Sequence, residues 1–159
     1  MHQNILPAKL LDMLDNILDG ADRALFSAVD SLLKNHEAQW MLEDVCRGIT
    51  ATDVEIGAAK RGIDQCNRAR VNLINLIDEM VFTGSDTPYV GSERYPLTIG
   101  QMIDLIQIQS IRTRHLDTVD SHGLLSHLVG SFEDLITGLA NKRVLLPPSS
   151  VTKVYRESM

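Results

Sequence analysis

Where the prolines stand decides most of what this chain can become. The five are Pro7, Pro88, Pro96, Pro147 and Pro148, so residues 8–87 and 97–146 are free of the residue that locks φ and removes a helical N–H donor. Those two stretches are where helices belong. After Pro7, which suits a first helical turn, Leu10, Leu11, Leu14, Ile17 and Leu18 keep a 3.6-residue period until Gly20. A second helix is predicted from Asp22 to about Arg47 through Leu25, Phe26, Val29, Leu32 and Leu33, with Gly48 as its C-cap. Thr52 and Glu55 make a capping box that opens a third helix to about Phe82, before Gly84.

The segment from Gly84 to Pro96 holds two glycines, two prolines and two tyrosines without an apolar period. It is predicted to be an irregular loop that caps the bundle or meets a partner through Tyr89 and Tyr95. Thr98 and Gln101 form a second capping box, followed by Met102, Ile103, Leu105, Ile106, Ile108 and Ile111. A break is expected near residues 120–123, then a last helix through Leu128, Phe132, Leu135 and Leu139, ending near Lys142 and Arg143. No sustained two-residue alternation calls for a sheet. The expected fold is therefore all-α, an antiparallel bundle of four to five helices in one domain over residues 1–144, with a Pro-containing tail over 145–159.

Composition narrows the function classes. A chain of 159 residues with 44% hydrophobic residues can bury about 70% of its unfolded surface and needs no staple. Cys46 and Cys66 read as small core residues, and no C-x-x-C motif is present. A net charge of −6 with only 4% aromatic residues argues against nucleic acid, which asks for basic stripes and stacking rings. No apolar run reaches membrane-spanning length and the first residues lack a basic secretory n-region, so neither membrane insertion nor export is expected; the expected compartment is the cytoplasm. His115, His122 and His127 lack metal-pair spacing, and no Glu-x-x-His, P-loop or nucleophile elbow occurs. Neither a metal nor a cofactor is expected.

The third helix carries the most informative pattern. Ile56, Ile63, Arg70 and Ile77 recur every seven residues, as do Ala59, Cys66, Leu73 and Met80. Arg70 breaks an apolar seam. An arginine there needs a carboxylate on a neighbouring helix, and the expected partner is Glu43, ahead of Asp44 or Asp104. Lys60, Asp64 and Asn67 adjoin the seam, and on the second helix the stripe ends in His36, Trp40 and Glu43. A short connection makes these two helices antiparallel and sets Trp40 and Glu43 against the Lys60–Asn67 region.

The ordered motifs Trp40-x-x-Glu43-Asp44, Lys60-Arg61-x-Ile63-Asp64-x-x-Asn67-x-x-Arg70, Ile77-Asp78, Thr98-Ile99-Gly100-x-x-Ile103-Asp104 and His115 resemble the bacterial DUF4254 family over about residues 35–116. The resemblance implies an all-helical bacterial protein and brings no activity with it. A weaker likeness to helical chorismate mutases rests on the Ile63-Asp64-x-x-Asn67 run and the cations Lys60, Arg68, Arg70, Arg112 and Arg114. Two functional readings follow. In the first, the bundle works through protein contacts as a homodimer, with Trp40, Glu43, Lys60, Asp64, Asn67, Arg70 and His115 forming an internal polar network. In the second, the same residues hold a small molecule, and a solvent-connected cavity of a few hundred cubic ångströms would distinguish it. The dimer is expected because both the fourth and fifth helices look apolar on several sides.

Overall fold

The structure is a computed structural model and describes residues 5–18, 23–82 and 93–147. It contains helices α1 (Ile5–Leu14), α2 (Arg23–Arg47), α3 (Asp53–Phe82), α4 (Ile99–Leu116) and α5 (Val119–Ala140). Two short strands, β1 (Glu93–Arg94) and β2 (Val144–Leu145), flank the α4–α5 pair. The fold is an all-α helical bundle, as the proline spacing and apolar periods predict.

Helices α2 and α3 form a long antiparallel hairpin. Asn35 on α2 donates to the Cys66 carbonyl at 3.0 Å, and Leu42 packs directly over Gly62. The turn between them ends in the predicted capping box: Glu55 N–H donates to Thr52 Oγ1 at 3.3 Å, and Thr52 N–H donates to Glu55 Oε2 at 2.8 Å. Helix α4 runs antiparallel to α3 and touches α2, α3 and α5. Its own box is also as predicted, with Gln101 N–H donating to Thr98 Oγ1 at 3.1 Å and Thr98 N–H to Gln101 Oε1 at 3.0 Å.

The core joins all five helices. Phe132, Leu10, Leu14, Leu25, Leu32, Ile77, Ile103, Ile106 and Leu135 are fully buried, so one apolar interior spans the chain. Ile99, Met102, Ile103, Ile106 and Ile111 of α4 are all buried within this single copy. The breadth of the apolar surface on α4 is thus accounted for by a central position in its own bundle. Buried polar groups on α4 find backbone partners: Gln107 donates to the Val29 carbonyl at 2.9 Å, and Gln109 and Thr113 both donate to the Ser121 carbonyl at 3.0 Å.

Three details depart from the expectations. The α4–α5 break falls at Asp117 and Thr118 rather than at 120–123, because Thr118 and Ser121 form a third reciprocal capping box and Asp117 takes the left-handed conformation, φ 44°. A small parallel sheet exists, pairing Glu93 with Val144 and Arg94 with Leu145; two residues per strand are too few to produce an alternation. Tyr95 packs against the core, its hydroxyl 3.8 Å from Met102 Sδ, whereas Tyr89 and the predicted loop from Gly84 as far as residue 92 lie outside the described residues, as do residues 148–159. No described helix is long and apolar enough to cross a membrane.

Candidate functional site

Asp104 is the centre of the polar cluster. It sits on the α4 face turned toward α2 and α3, in the run Met102-Ile103-Asp104-Leu105-Ile106, and only 4% of its side chain is exposed. Arg70 grips it with a fork: Nε donates to Oδ1 at 2.7 Å and Nη2 to Oδ2 at 2.5 Å. From α2, Nε2 of the equally buried His36 lies 2.9 Å from Asp104 Oδ1. That nitrogen lies close to the carboxylate without making an aligned hydrogen bond. Burial pushes the Asp104 carboxyl up, but the close His36 and the hydrogen bonds and charge of Arg70 outweigh it and hold the group below the ordinary carboxylate range.

The acid partner of Arg70 is therefore Asp104, and the expectation of Glu43 is corrected. Glu43 lies nearer the end of α2, where it accepts from Arg47 Nη2 at 2.6 Å and from Gln39 Nε2 at 3.2 Å. Because the Arg47 pair is solvated, replacing Glu43 with alanine should cost less than about 1 kcal/mol in a urea titration. A loss of several kcal/mol would mean that Glu43 carries a buried charge after all.

The depressed Asp104 carboxyl has a pH signature of definite sign. Its ionised form is favoured in the folded state, so its contribution is full above the unfolded carboxylate value near 3.8 and is lost as pH falls through the lower folded value. The stability gap between the native chain and Asp104→Asn should accordingly narrow on acidification below about pH 4. Asp78 has the opposite sign. Burial raises its carboxyl despite hydrogen bonds from Thr98 and Gly100, so only a comparison at Asp104 itself isolates the effect.

Around this node lies a groove of about 480 Å³ between the C-terminal halves of α2 and α4, with Arg70 reaching in from α3. The α2 wall presents His36, Gln39, Trp40, Glu43 and Arg47; the α4 wall presents Ile108, Ile111, Arg112 and Leu116. Trp40 is contacted on its ring by two side chains. Its ring stacks on His115 with centroids 4.6 Å apart and planes 15° off parallel, and the Arg47 guanidinium stands 5.4 Å from the indole centroid.

Of the residues singled out from sequence, Trp40, Glu43 and Arg70 line the groove and His115 braces its wall. Lys60 and Asp64 lie exposed and Asn67 half-buried on α3, and none of the three lines it. Sequence reasoning left His36, Gln39, Arg47 and Arg112 out of the candidate set and ranked Asp104 too low. The signal for Asp104 was the same as for Arg70, a charge inside an apolar run, and His36 ended an apolar stripe. Among the described residues no group of three or more His, Cys, Asp or Glu side chains is arranged to hold a metal ion.

Searches of curated proteins and of solved structures return no significant match. A family model described as a protein of unknown function, DUF4254, matches residues 27–122. That span runs from the start of the α2 core face through α3 and α4 into the first turn of α5, and takes in every residue of the Asp104 node and of the groove. On that match the chain belongs to the DUF4254 family.

Proposed function

We propose that this protein binds a small molecule in the groove between α2 and α4. The observation that carries the reading is the groove itself. Its volume of about 480 Å³ falls within the range of about 300–1,000 Å³ usual for ligand sites, and its lining joins four apolar side chains to six polar or charged ones. The Asp104 node beneath supports such a role, because three helices are pinned to one carboxylate and the walls keep their spacing. Trp40 is the only tryptophan of the chain and stands in the α2 wall, so its emission reports on occupancy directly.

The test is a fluorescence screen of the full chain against a mixed panel of neutral, cationic and anionic metabolites, repeated with Ile108→Phe, which fills a half-buried position of the α4 wall. A saturable change in Trp40 emission that Ile108→Phe abolishes, at unchanged circular dichroism, is the expected result. No saturable response from any class would overturn the reading.

A second reading, action through protein contacts as a homodimer, draws support from Met41, Val45, Ile49 and Val54, which are exposed apolar residues on the outer side and tip of the α2–α3 hairpin. Light scattering at micromolar concentration tests it. A mass that stays at 17.7 kDa across a concentration series would exclude the dimer.

A further inference from the structure

The charges in the groove are not equally engaged. The carboxylate that lines it, Glu43, is satisfied by Arg47 and Gln39, and Asp104 beneath the groove holds Arg70. Three arginines line the groove, and Arg47 and Arg70 are the two that these acids engage. Among the described residues Arg112 has no acid partner, and its side chain is exposed on the α4 wall. Its surroundings are equally specific. Ile108 lies one turn before it and Leu116 one turn after, with Ile111 beside them, so the cation is set in the middle of an apolar stripe.

This arrangement suits a ligand with one charged end. A guanidinium offers a planar fork that matches a carboxylate or phosphate oxyanion, and the apolar side chains on either side would cover a hydrocarbon body. A polyanion suits it less. The groove lies toward the C-terminal ends of α2 and α4, where the helix dipoles contribute negative potential, and it holds no helix N-terminus to gather several phosphates. Of its three arginines, Arg47 and Arg70 are already engaged by Glu43 and Asp104, which leaves Arg112 for a single head.

We infer that the ligand is an amphipathic molecule with a single anionic head, a carboxylate or a phosphate, which Arg112 reads while Ile108, Ile111 and Leu116 hold the apolar body. The inference rests on the groove reading above and deepens it.

The full chain is titrated with octanoate, octyl phosphate, octan-1-ol, octylamine and acetate, with Trp40 emission as the readout. One or both eight-carbon anions should saturate at least about tenfold more tightly than the alcohol and the amine, and the tighter of the two names the head group. Acetate, which has no body, should give no saturable signal. Arg112→Ala should weaken the anion at least about tenfold and leave the alcohol unchanged, while Arg112→Lys should recover part of the loss. Since Arg112 is exposed, both variants should fold normally, which circular dichroism checks. If the alcohol or the amine binds as tightly as the anions, or if Arg112→Ala leaves anion affinity intact, this inference fails while the groove reading stands. Silence from every eight-carbon probe also overturns it, and the wider metabolite panel then decides the groove reading on its own.

Discussion

Replacing Asp104 with alanine should destabilise the protein by about 3–5 kcal/mol, read as a drop in the urea midpoint at constant slope. The carboxylate is 4% exposed, and it is where side chains of α2, α3 and α4 meet. Removing it leaves the Arg70 guanidinium partly buried without its fork partner and deprives His36 of its close neighbour. Arg70 is 32% exposed and can recover some hydration, so the lower end of the range is the better expectation. Asp104→Asn keeps the shape and one acceptor oxygen and should lose less. A cost near 1 kcal/mol for the alanine variant would show that the node is replaceable by water, and the rigid-wall argument for the groove would go with it.

Gly100→Ala should cost a comparable amount, about 3 kcal/mol, for a steric reason. A methyl group there would lie 2.6 Å from the Ile74 carbonyl oxygen and 2.9 Å from Asp78 Oδ1. The first of these is α3 backbone, which cannot yield without moving the helix. The same glycine donates its N–H to Asp78 Oδ1 at 2.7 Å, so α3 supplies a cap for the first turn of α4, and a shift of either helix also loosens that bond. Gly62→Ala is the natural control. There the obstacle is the end of the Leu42 side chain at 2.8 Å, which can rotate away, and the loss should stay within about 1 kcal/mol. Equal effects at the two positions would contradict the view that α3 and α4 are locked in backbone contact.

The contrast between what could and could not be read in advance follows from the range of the interactions. Thr52 with Glu55 and Thr98 with Gln101 are local, three residues apart, and both boxes form where the pattern placed them. Thr118 with Ser121 uses the same geometry but places serine where Glu or Gln is the usual signal, so the break was expected too late. That Arg70 meets a carboxylate on another helix was legible from its place in an apolar seam. Which carboxylate was not, because heptad position defines a face of one helix and says nothing of how a helix more than thirty residues on crosses it. Reasoning from the short α2–α3 connection favoured Glu43, an acid on the adjoining helix, whereas α4 brings Asp104 alongside. Arg112 illustrates the other limit. In the sequence it is one of several cations, alongside Lys60, Arg68, Arg70 and Arg114, and only the placement of α2 opposite makes it part of a concave surface.

The two-residue sheet has a consequence out of proportion to its size. Glu93 N–H donates to the Arg143 carbonyl at 2.9 Å and Tyr95 N–H to the Leu145 carbonyl at 2.8 Å, which fastens the chain entering α4 to the chain leaving α5. Everything between is a ring closed by backbone hydrogen bonds, and ring closure restricts the opened ensemble in the way a covalent tie does, only more weakly. The ends of α4 and α5 therefore cannot fray independently. In hydrogen exchange the amides of Glu93 and Tyr95 should be protected and open together with the helices they bracket, and the α4 wall of the groove should open with that unit as a whole.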